Sequence, residues 1–320
     1  MESNTVHDAV VIGAGPAGLS LAGALARQVH TVLVLDSGEY RNERSQHMHN
    51  VAGWDHVDPA VFRAKAKEDL QRRYASVEFQ SAKAVEVRKV DNIFEAVDQE
   101  GNVYKGRKLG LATGVEDLIA AEVEGFAECW GRGVFHCLFC HGFEERGAPS
   151  AGVLSTSPLG QHPAQLVSIA RMAKRLSDQV TIYTNGNHTL AAQISPLIRS
   201  SKISVDARPI ARLNLVDSGP QVRIDFADGS ASATEGFVSS HPKMRQRAEK
   251  FADELGLEMT DAGNVKVTAP FNETSLKGCF AVGDAATVME SVIEAMHMGF
   301  FAGVGCVAQL QEEMEARDEL

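Results

Sequence analysis

Cys137 and Cys140 are separated by two residues, and His141 follows the second thiol directly, in the run Cys137-Leu138-Phe139-Cys140-His141-Gly142-Phe143. In a Cys-x-x-Cys pair one thiol attacks a disulfide, or is attacked, while the other resolves the mixed disulfide. The short loop lowers the thiolate pKa of one member. A histidine beside such a pair has the strength of a useful base: an unperturbed imidazole titrates near about 6.5 and a free thiol near about 8.5, so imidazole suits thiol deprotonation at neutral pH better than an aspartate near about 3.9. Glu144 orients that imidazole if a turn brings the two together; otherwise it is a plain surface carboxylate. The same letters allow other chemistries. Cys-x-x-Cys-His is the attachment signature of c-type haem, which goes with export. Zinc needs about four ligands, no second Cys-x-x-Cys exists, and His136 and His141 adjoin the pair too tightly to complete a tetrahedron easily. An inert structural pair is the third alternative. Cys129, Cys279 and Cys306 are isolated and fit small buried hydrophobes.

The elements that would position this pair begin with a phosphate-binding pattern. The apolar run Ala9–Ile12 leads into Gly13-Ala14-Gly15-Pro16-Ala17-Gly18, then a helical run Leu19–Gln28, then the β-branched and Leu-rich run Thr31–Leu35 ending in Asp36. This is a complete βαβ start. Gly13 permits the tight turn, Gly15 lets the backbone approach a pyrophosphate, and Gly18 allows close helix-to-strand packing, with Pro16 and Ala17 opening a helix whose N-terminus faces the phosphates. Asp36, with Ser37 beside it, stands 18 positions after Gly18, where an acid accepts from a ribose hydroxyl. The loop Tyr40–His56 is polar and His-rich. His47 and His49 raise the possibility of a metal, but with no third ligand evident the expectation is loop contacts near a cofactor and no metal site. Pro59–Arg73 is helical, Val77–Tyr104 alternates as antiparallel strands, and Lys108–Thr113 returns an apolar strand into Ala112-Thr113-Gly114.

A second α/β unit starts near Gly152, with a strand at Val153–Ser155, a helix over Pro163–Leu176 and a strand over Val180–Tyr183. The phosphate chemistry does not repeat. Where a second glycine turn would sit the chain has Ser155-Thr156-Ser157-Pro158-Leu159-Gly160-Gln161-His162-Pro163, with two prolines in a turn that needs free N–H groups, and Thr184-Asn185-Gly186-Asn187 carries no arginine fork for a 2'-phosphate. Lys243–Leu255 is expected to be a helix with a solvated charged face. Cys279–Ala285 then places Gly283-Asp284 at the end of an apolar strand, before a helical run from Glu290 to Leu310. An aspartate there accepts from a sugar-like chain, and the helix directs its positive end at an electron-rich ring.

At 320 residues two domains are expected, and the 44% hydrophobic content fills both cores. A net charge of -11 argues against nucleic-acid binding and against an anionic membrane surface. Met1–Asp8 has no basic leader or apolar core, and five cysteines at irregular spacing do not make a secreted framework, so a cytoplasmic location is expected. Arg317–Leu320 echoes an endoplasmic-reticulum retention signal, but without a signal peptide it is a fraying helix end.

Taken together these landmarks resemble the low-molecular-weight thioredoxin reductase family of FAD-dependent disulfide oxidoreductases. The resemblance covers almost the whole chain: Gly13–Gly18, Asn50 with Gly53, Ala112-Thr113-Gly114, Gly131-Arg132-Gly133-Val134, the thiol pair, Gly283-Asp284, and Ala302-Gly303-Val304-Gly305-Cys306. It implies an α/β chain of two nested Rossmann-like three-layer domains. The FAD domain is discontinuous, 1–115 with 245–320, and the insert 116–244 is a degenerate NADPH-type domain bearing the thiols. It also implies FAD contacts from Asn50, Thr113, Gly114 and His297 besides those named above, a homodimer, and Cys140 as the thiol nearer the flavin. Two departures stand out. The reductases have an acid where this chain has His141, and their second glycine turn and arginines are missing. With Tyr40-Arg41-Asn42 and His47-Met48-His49, these features look like the dithiol oxidases of natural-product pathways, the gliotoxin and holomycin type. That branch implies closure of an intramolecular disulfide in a small dithiol, often a diketopiperazine, with O2 leaving as peroxide. The alternatives are a disulfide reductase driven by NAD(P)H or ferredoxin, and a flavin-binding sensor or scaffold without turnover.

Overall fold

In the computed structural model, which describes residues 5–156 and 161–320, the apolar run Val6–Ile12 forms β1 and Pro16–Ala26 forms α1. β2 (Val32–Asp36) follows, then α2 (Pro59–Arg73), started by Pro59 and by the Asp58 side chain accepting from the Ala60 N–H at 2.7 Å. Next come β3 (Val77–Ser81), β4 (Ala84–Val90), β5 (Ile93–Asp98) and β6 (Val103–Leu111). β3 pairs in parallel with β2 and does not join the antiparallel ribbon expected of Val77–Tyr104. The α2 crossover returns the chain to the same end of the sheet, and a strand delivered that way runs parallel. β6 serves two neighbours: Val103–Gly106 run antiparallel to β5, while Lys105–Leu111 run parallel to β1.

The chain leaves this unit through β7 (Val115–Asp117) and passes through a short helix, α3 (Phe126–Cys129), to β8 (Val134–Phe135). There follow β9 (Ala151–Leu154), α4 (Pro163–Leu176), β10 (Val180–Tyr183), α5 (His188–Ile194), β11 (Ile203–Asp206), the antiparallel β12 (Ile210–Leu215), β13 (Val222–Phe226) and β14 (Ala233–Glu235), and β15 (Val238–Ser240). β16 (Met244–Gln246) carries the chain back to α6 (Glu249–Leu255), β17 (Cys279–Ala281) and α7 (Val292–Glu315). The helix expected over Lys243–Leu255 thus starts only at Glu249. The period-two alternation of Lys243, Arg245 and Arg247 was a strand pattern.

Two units result: Met1–Glu116 with Gln246–Leu320, and Asp117–Arg245. The first has the sheet order β3-β2-β1-β6, with β17 beside β6 and the β5-β4 ribbon continuing from it. One face of this sheet packs on α1 and α7 through Leu21, Leu25, Val34, Ala302 and Leu310; the other packs Leu33, Leu35 and Leu111 against Phe94, Phe251 and Val265. Each fully buried leucine contributes about 1.5–3 kcal/mol. Among the described residues α7 is the one helix long and apolar enough by length and composition to cross a membrane, but Ala295, Met298, Ala302 and Cys306 are buried in this core. Glycines let α7 close on α1: a Cβ at Gly299 would lie 2.1 Å from the Ala17 carbonyl oxygen. The second unit is again three-layered, with a parallel sheet β11-β10-β9-β15-β8 covered on one side by α4 and α5 and on the other by the β12-β13-β14 sheet.

Candidate functional site

In the first unit the strand ends build a cradle. Gly13 has φ +109°, and a Cβ there would be 2.3 Å from the Ala112 carbonyl oxygen, so the turn admits only glycine. A Cβ at Gly18 would lie 1.9 Å from the Gly13 carbonyl oxygen, whereas one at Gly15 would meet nothing within 4 Å. The three glycines therefore divide as expected: turn, open approach, packing. Gly15 caps α1 without a side-chain hydrogen bond and Pro16 lacks an N–H, so the positive helix end is left to a ligand. The hydroxyl of Thr113 is buried with no partner. An uncommitted helix N-terminus, an open glycine and an orphaned buried hydroxyl fit a dinucleotide such as FAD.

Asp36 closes β2, accepting from the Gly38 N–H at 3.0 Å and from the Tyr40 hydroxyl, and the Ser37 hydroxyl accepts from the Glu39 N–H at 3.3 Å. Asn50 has φ +63° and donates its N–H to Asp55 at 3.2 Å; the ring of His49 stands 3.2 Å from the same carboxylate. His47 and His56 stack with centroids 3.9 Å apart. Gly283 lies against Ala17 and Ala295, so a Cβ there would be 3.1 Å from the Ala17 Cβ, and Asp284 follows in a short 3-10 turn. His297 has its side chain 59% exposed, lies 3.7 Å from Glu294 and edge-on to Phe301, and lines a cavity of about 310 Å³ with Ala269, Pro270 and Met298. Gly114 has φ +64°, with open space on its side-chain face.

In the second unit Cys137 and Cys140 form a disulfide with Cα atoms 5.2 Å apart. The Cys137 carbonyl accepts from the N–H groups of Cys140 and His141, at 3.2 and 3.0 Å, which winds the motif into a single tight turn. His141 is thereby laid flat on Phe135, ring centroids 4.8 Å apart and planes 13° from parallel. The imidazole thus rests on an aromatic face; Glu144 is exposed. Gly142 turns the chain with φ +96° between Leu138 and Leu176. Phe139, within the turn, is 72% exposed; Phe143 is 61% exposed and carries the Arg146 guanidinium 4.2 Å from its ring centre.

Sequence reasoning missed two groups here and weighed a third, His136, only as a metal ligand. His136, immediately before Cys137, stacks on Trp130 at 5.6 Å and meets His241 edge-on; the only signal was its adjacency to the thiol. Glu145 has a buried carboxylate oxygen without a partner, and burial raises its pKa. Deeper in the unit Glu235 accepts from the Tyr183 hydroxyl at 2.5 Å, and burial raises both pKa values. The three other cysteines are buried, which pushes the Cys129 thiol up to about 11 and that of Cys279 to about 12, too high for thiolate chemistry at neutral pH.

At the exit of β9 the Thr156 hydroxyl lies 3.0 Å from that of Ser240 and donates to the His241 carbonyl at 3.1 Å. Residues 157–160 of the expected degenerate turn lie outside the described residues; α4 then starts at Pro163, with His162 as a cap that makes no side-chain hydrogen bond. Asn185 and Asn187 serve the backbone, accepting from Ile210 and Leu190.

Comparison with known proteins gives this geometry a context. A family model described as pyridine nucleotide-disulphide oxidoreductase matches residues 7–299. The chain is 43% identical to thioredoxin reductase aclD of Aspergillus oryzae over 98% of its own length and 99% of the relative's. It is 40% identical to thioredoxin reductase tcpT of Claviceps purpurea, over 100% and 99%. Among solved structures, that of HlmI is similar with a TM-score of 0.85 and 26% identity, covering 99% of this chain and 96% of the other.

Proposed function

Because this chain belongs to the pyridine nucleotide-disulphide oxidoreductase family, and is a FAD flavoprotein and disulfide oxidoreductase of the thioredoxin reductase-like kind, we propose that it runs as a dithiol oxidase, closing an intramolecular disulfide in a small dithiol such as a diketopiperazine, with O2 leaving as H2O2. The observation that carries this reading is the Cys137–Cys140 disulfide with the imidazole of His141, in place of an acid, fixed one residue away on Phe135.

In the forward step a substrate thiolate attacks the sulfur of Cys137, and the bond to Cys140 breaks to leave its thiolate. The second substrate thiol then attacks the mixed disulfide, so the substrate leaves as a cyclic disulfide and both cysteines are reduced. Two electrons and two protons have moved from substrate to enzyme. His141 takes the proton of the first attacking thiol, passes it to the Cys140 thiolate that the attack releases, and is then neutral again to take the second, a task for which an imidazole is a better match than a carboxylate. Exposed Phe139, between the two thiols in sequence, gives an apolar substrate body something to pack on. FAD, when bound, supplies the two-electron acceptor that returns the dithiol to the disulfide and hands the pair to O2. In this reading the enzyme acts as a homodimer.

A second reading draws on the relatives' name, thioredoxin reductase, and has NAD(P)H or ferredoxin reduce a disulfide. Oxygen uptake separates the two. The flavin-loaded protein is mixed in air with a reduced diketopiperazine dithiol, with and without NADPH. Oxygen consumption with peroxide in the absence of NADPH is the expected result; rapid bleaching of the flavin by NADPH without oxygen, and no uptake with dithiol, refutes it.

A further inference from the structure

Asp36 and Asp284, the two acids placed at the dinucleotide, are far apart in sequence, yet neighbouring residues of one loop reach both. The Tyr40 hydroxyl lies 2.7 and 2.8 Å from the two carboxylate oxygens of Asp36. Arg41 Nη1 donates to Asp284 Oδ2 at 3.0 Å and to Glu290 Oε2 at 2.6 Å. We propose that the loop Tyr40-Arg41-Asn42 is a clamp that sets both carboxylates for FAD, with Tyr40 the positioning residue on Asp36 and Arg41 the positioning residue on Asp284.

The loop is itself held. The guanidinium of Arg63, on α2, lies 3.9 Å from the centre of the Tyr40 ring, and its Nη1 donates to Asn42 Oδ1 at 2.8 Å. Three consecutive residues are therefore fixed: Tyr40 from both sides, Arg41 on Asp284 and Glu290, and Asn42 on Arg63. The electrostatics give Arg41 its work. Asp284 and Glu290 share one guanidinium, and all three side chains are only 15–20% exposed, so solvent screens them weakly. A dinucleotide brings a pyrophosphate with about two further negative charges to the same unit. With the guanidinium removed, the two carboxylates repel each other and Asp284 turns away. With it present, Asp284 Oδ2 is occupied, and Oδ1, without a partner among the described residues, is left to accept from a sugar hydroxyl. On the other acid, burial and the Asp36 carboxylate push the Tyr40 phenol far above its ordinary pKa, so it remains a donor throughout the working pH range. Neither contact depends on which way the thiol chemistry runs.

The test is the rate of FAD release from the holoenzyme on dilution, followed by recovery of FAD fluorescence, with the flavin content of the purified protein as a second measure. Arg41→Met removes charge-assisted hydrogen bonds and is expected to release FAD about 10- to 100-fold faster, with Arg41→Lys restoring part of the loss because it keeps the charge. Tyr40→Phe keeps the ring under Arg63, removes only the hydroxyl on Asp36, and is expected to release FAD about 10-fold faster. Because Arg41 acts through Asp284, the double variant Arg41→Met/Asp284→Asn should lose little beyond Asp284→Asn alone. Wild-type release from Arg41→Met, or from Tyr40→Phe should Arg41→Met not fold, overturns the clamp. So does a double variant whose loss is the product of the two single losses.

Discussion

A single methyl group added to Gly15 should stabilise the FAD-free protein while weakening its hold on the cofactor, whereas the same methyl on Gly13 should cost stability outright. Gly15 has φ −71° and ψ −179°, a conformation open to any residue, and its added Cβ meets nothing within 4 Å. Gly15→Ala therefore removes freedom from the unfolded chain without strain in the folded one, a gain of about 0.4–1 kcal/mol. Gly13 sits at φ +109°, with the Ala112 carbonyl oxygen 2.3 Å from the added Cβ. That carbonyl cannot retreat freely, since the Ala112 N–H donates to Ile12 at 2.9 Å and Ile12 is in register with Leu111. The backbone conformation costs about 1–2 kcal/mol and a broken ladder hydrogen bond about 1 more, so Gly13→Ala should lose about 2–3 kcal/mol. The space beside Gly15 is open to a pyrophosphate, so the variant that gains stability is the one expected to lose affinity without losing its fold. Urea unfolding of the FAD-stripped proteins and FAD titration by fluorescence quenching measure the two effects separately. Wild-type FAD affinity in Gly15→Ala, or wild-type stability in Gly13→Ala, refutes the division of labour among the glycines.

His141→Phe keeps a ring that can stack on Phe135 but not the base, and should lower dithiol turnover at neutral pH by about 100-fold or more; full turnover in this variant removes the imidazole from the mechanism. Glu235→Gln concerns stability. Burial raises the Glu235 pKa in the folded state, so the folded unit holds a proton that the unfolded chain releases once the pH passes the ordinary carboxylate value. Stability is then fully present below that value and falls as pH rises towards the folded pKa, by about 1.4 kcal/mol per pH unit. Glu235→Gln should flatten that fall in urea melts taken from pH 5 upward; an unchanged slope would place the titration elsewhere.

The βαβ start was legible because each requirement leaves a letter: glycine where φ is positive or backbones touch, Pro16 and Pro59 where helices begin, an acid at the end of β2. The helices Pro59–Arg73 and Pro163–Leu176 appear over the residues their patterns marked. β3 was misjudged because alternation along a strand reports which face is buried but says nothing of its neighbour's direction, which the crossover through α2 decides. The Arg41–Asp284 contact was not legible, since the two are 243 residues apart and no local period connects them, and Tyr40–Asp36, only four apart, lies in a loop after β2 where no helical period applies. His141 was visible as a letter, but its stacking on Phe135 depended on the tight turn at Cys137, a tertiary fact.

The two Rossmann-like units meet the same topological position with opposite chemistry, and this bears on the direction of the reaction. At the exit of β1 the chain presents glycine and an uncapped helix, so N–H groups are free for a phosphate. At the equivalent exit of β9 the Thr156 hydroxyl is tied to Ser240 and to the His241 carbonyl of the neighbouring strand. The Thr156 hydroxyl is thus committed to the protein at the point where the first unit has an open glycine turn. In the oxidase reading proposed above, a nicotinamide is not the source of electrons for this disulfide. In that reading the supply is the substrate, and a substrate that gives electrons enters as a thiol and surrenders a proton at each attack. In that reading the residue beside the pair accepts protons where a reductase would need to give them, and at neutral pH an imidazole does this better than a carboxylate. On the proposed reading, the committed Thr156 hydroxyl and the histidine after Cys140 serve one requirement, that electrons enter through the thiols.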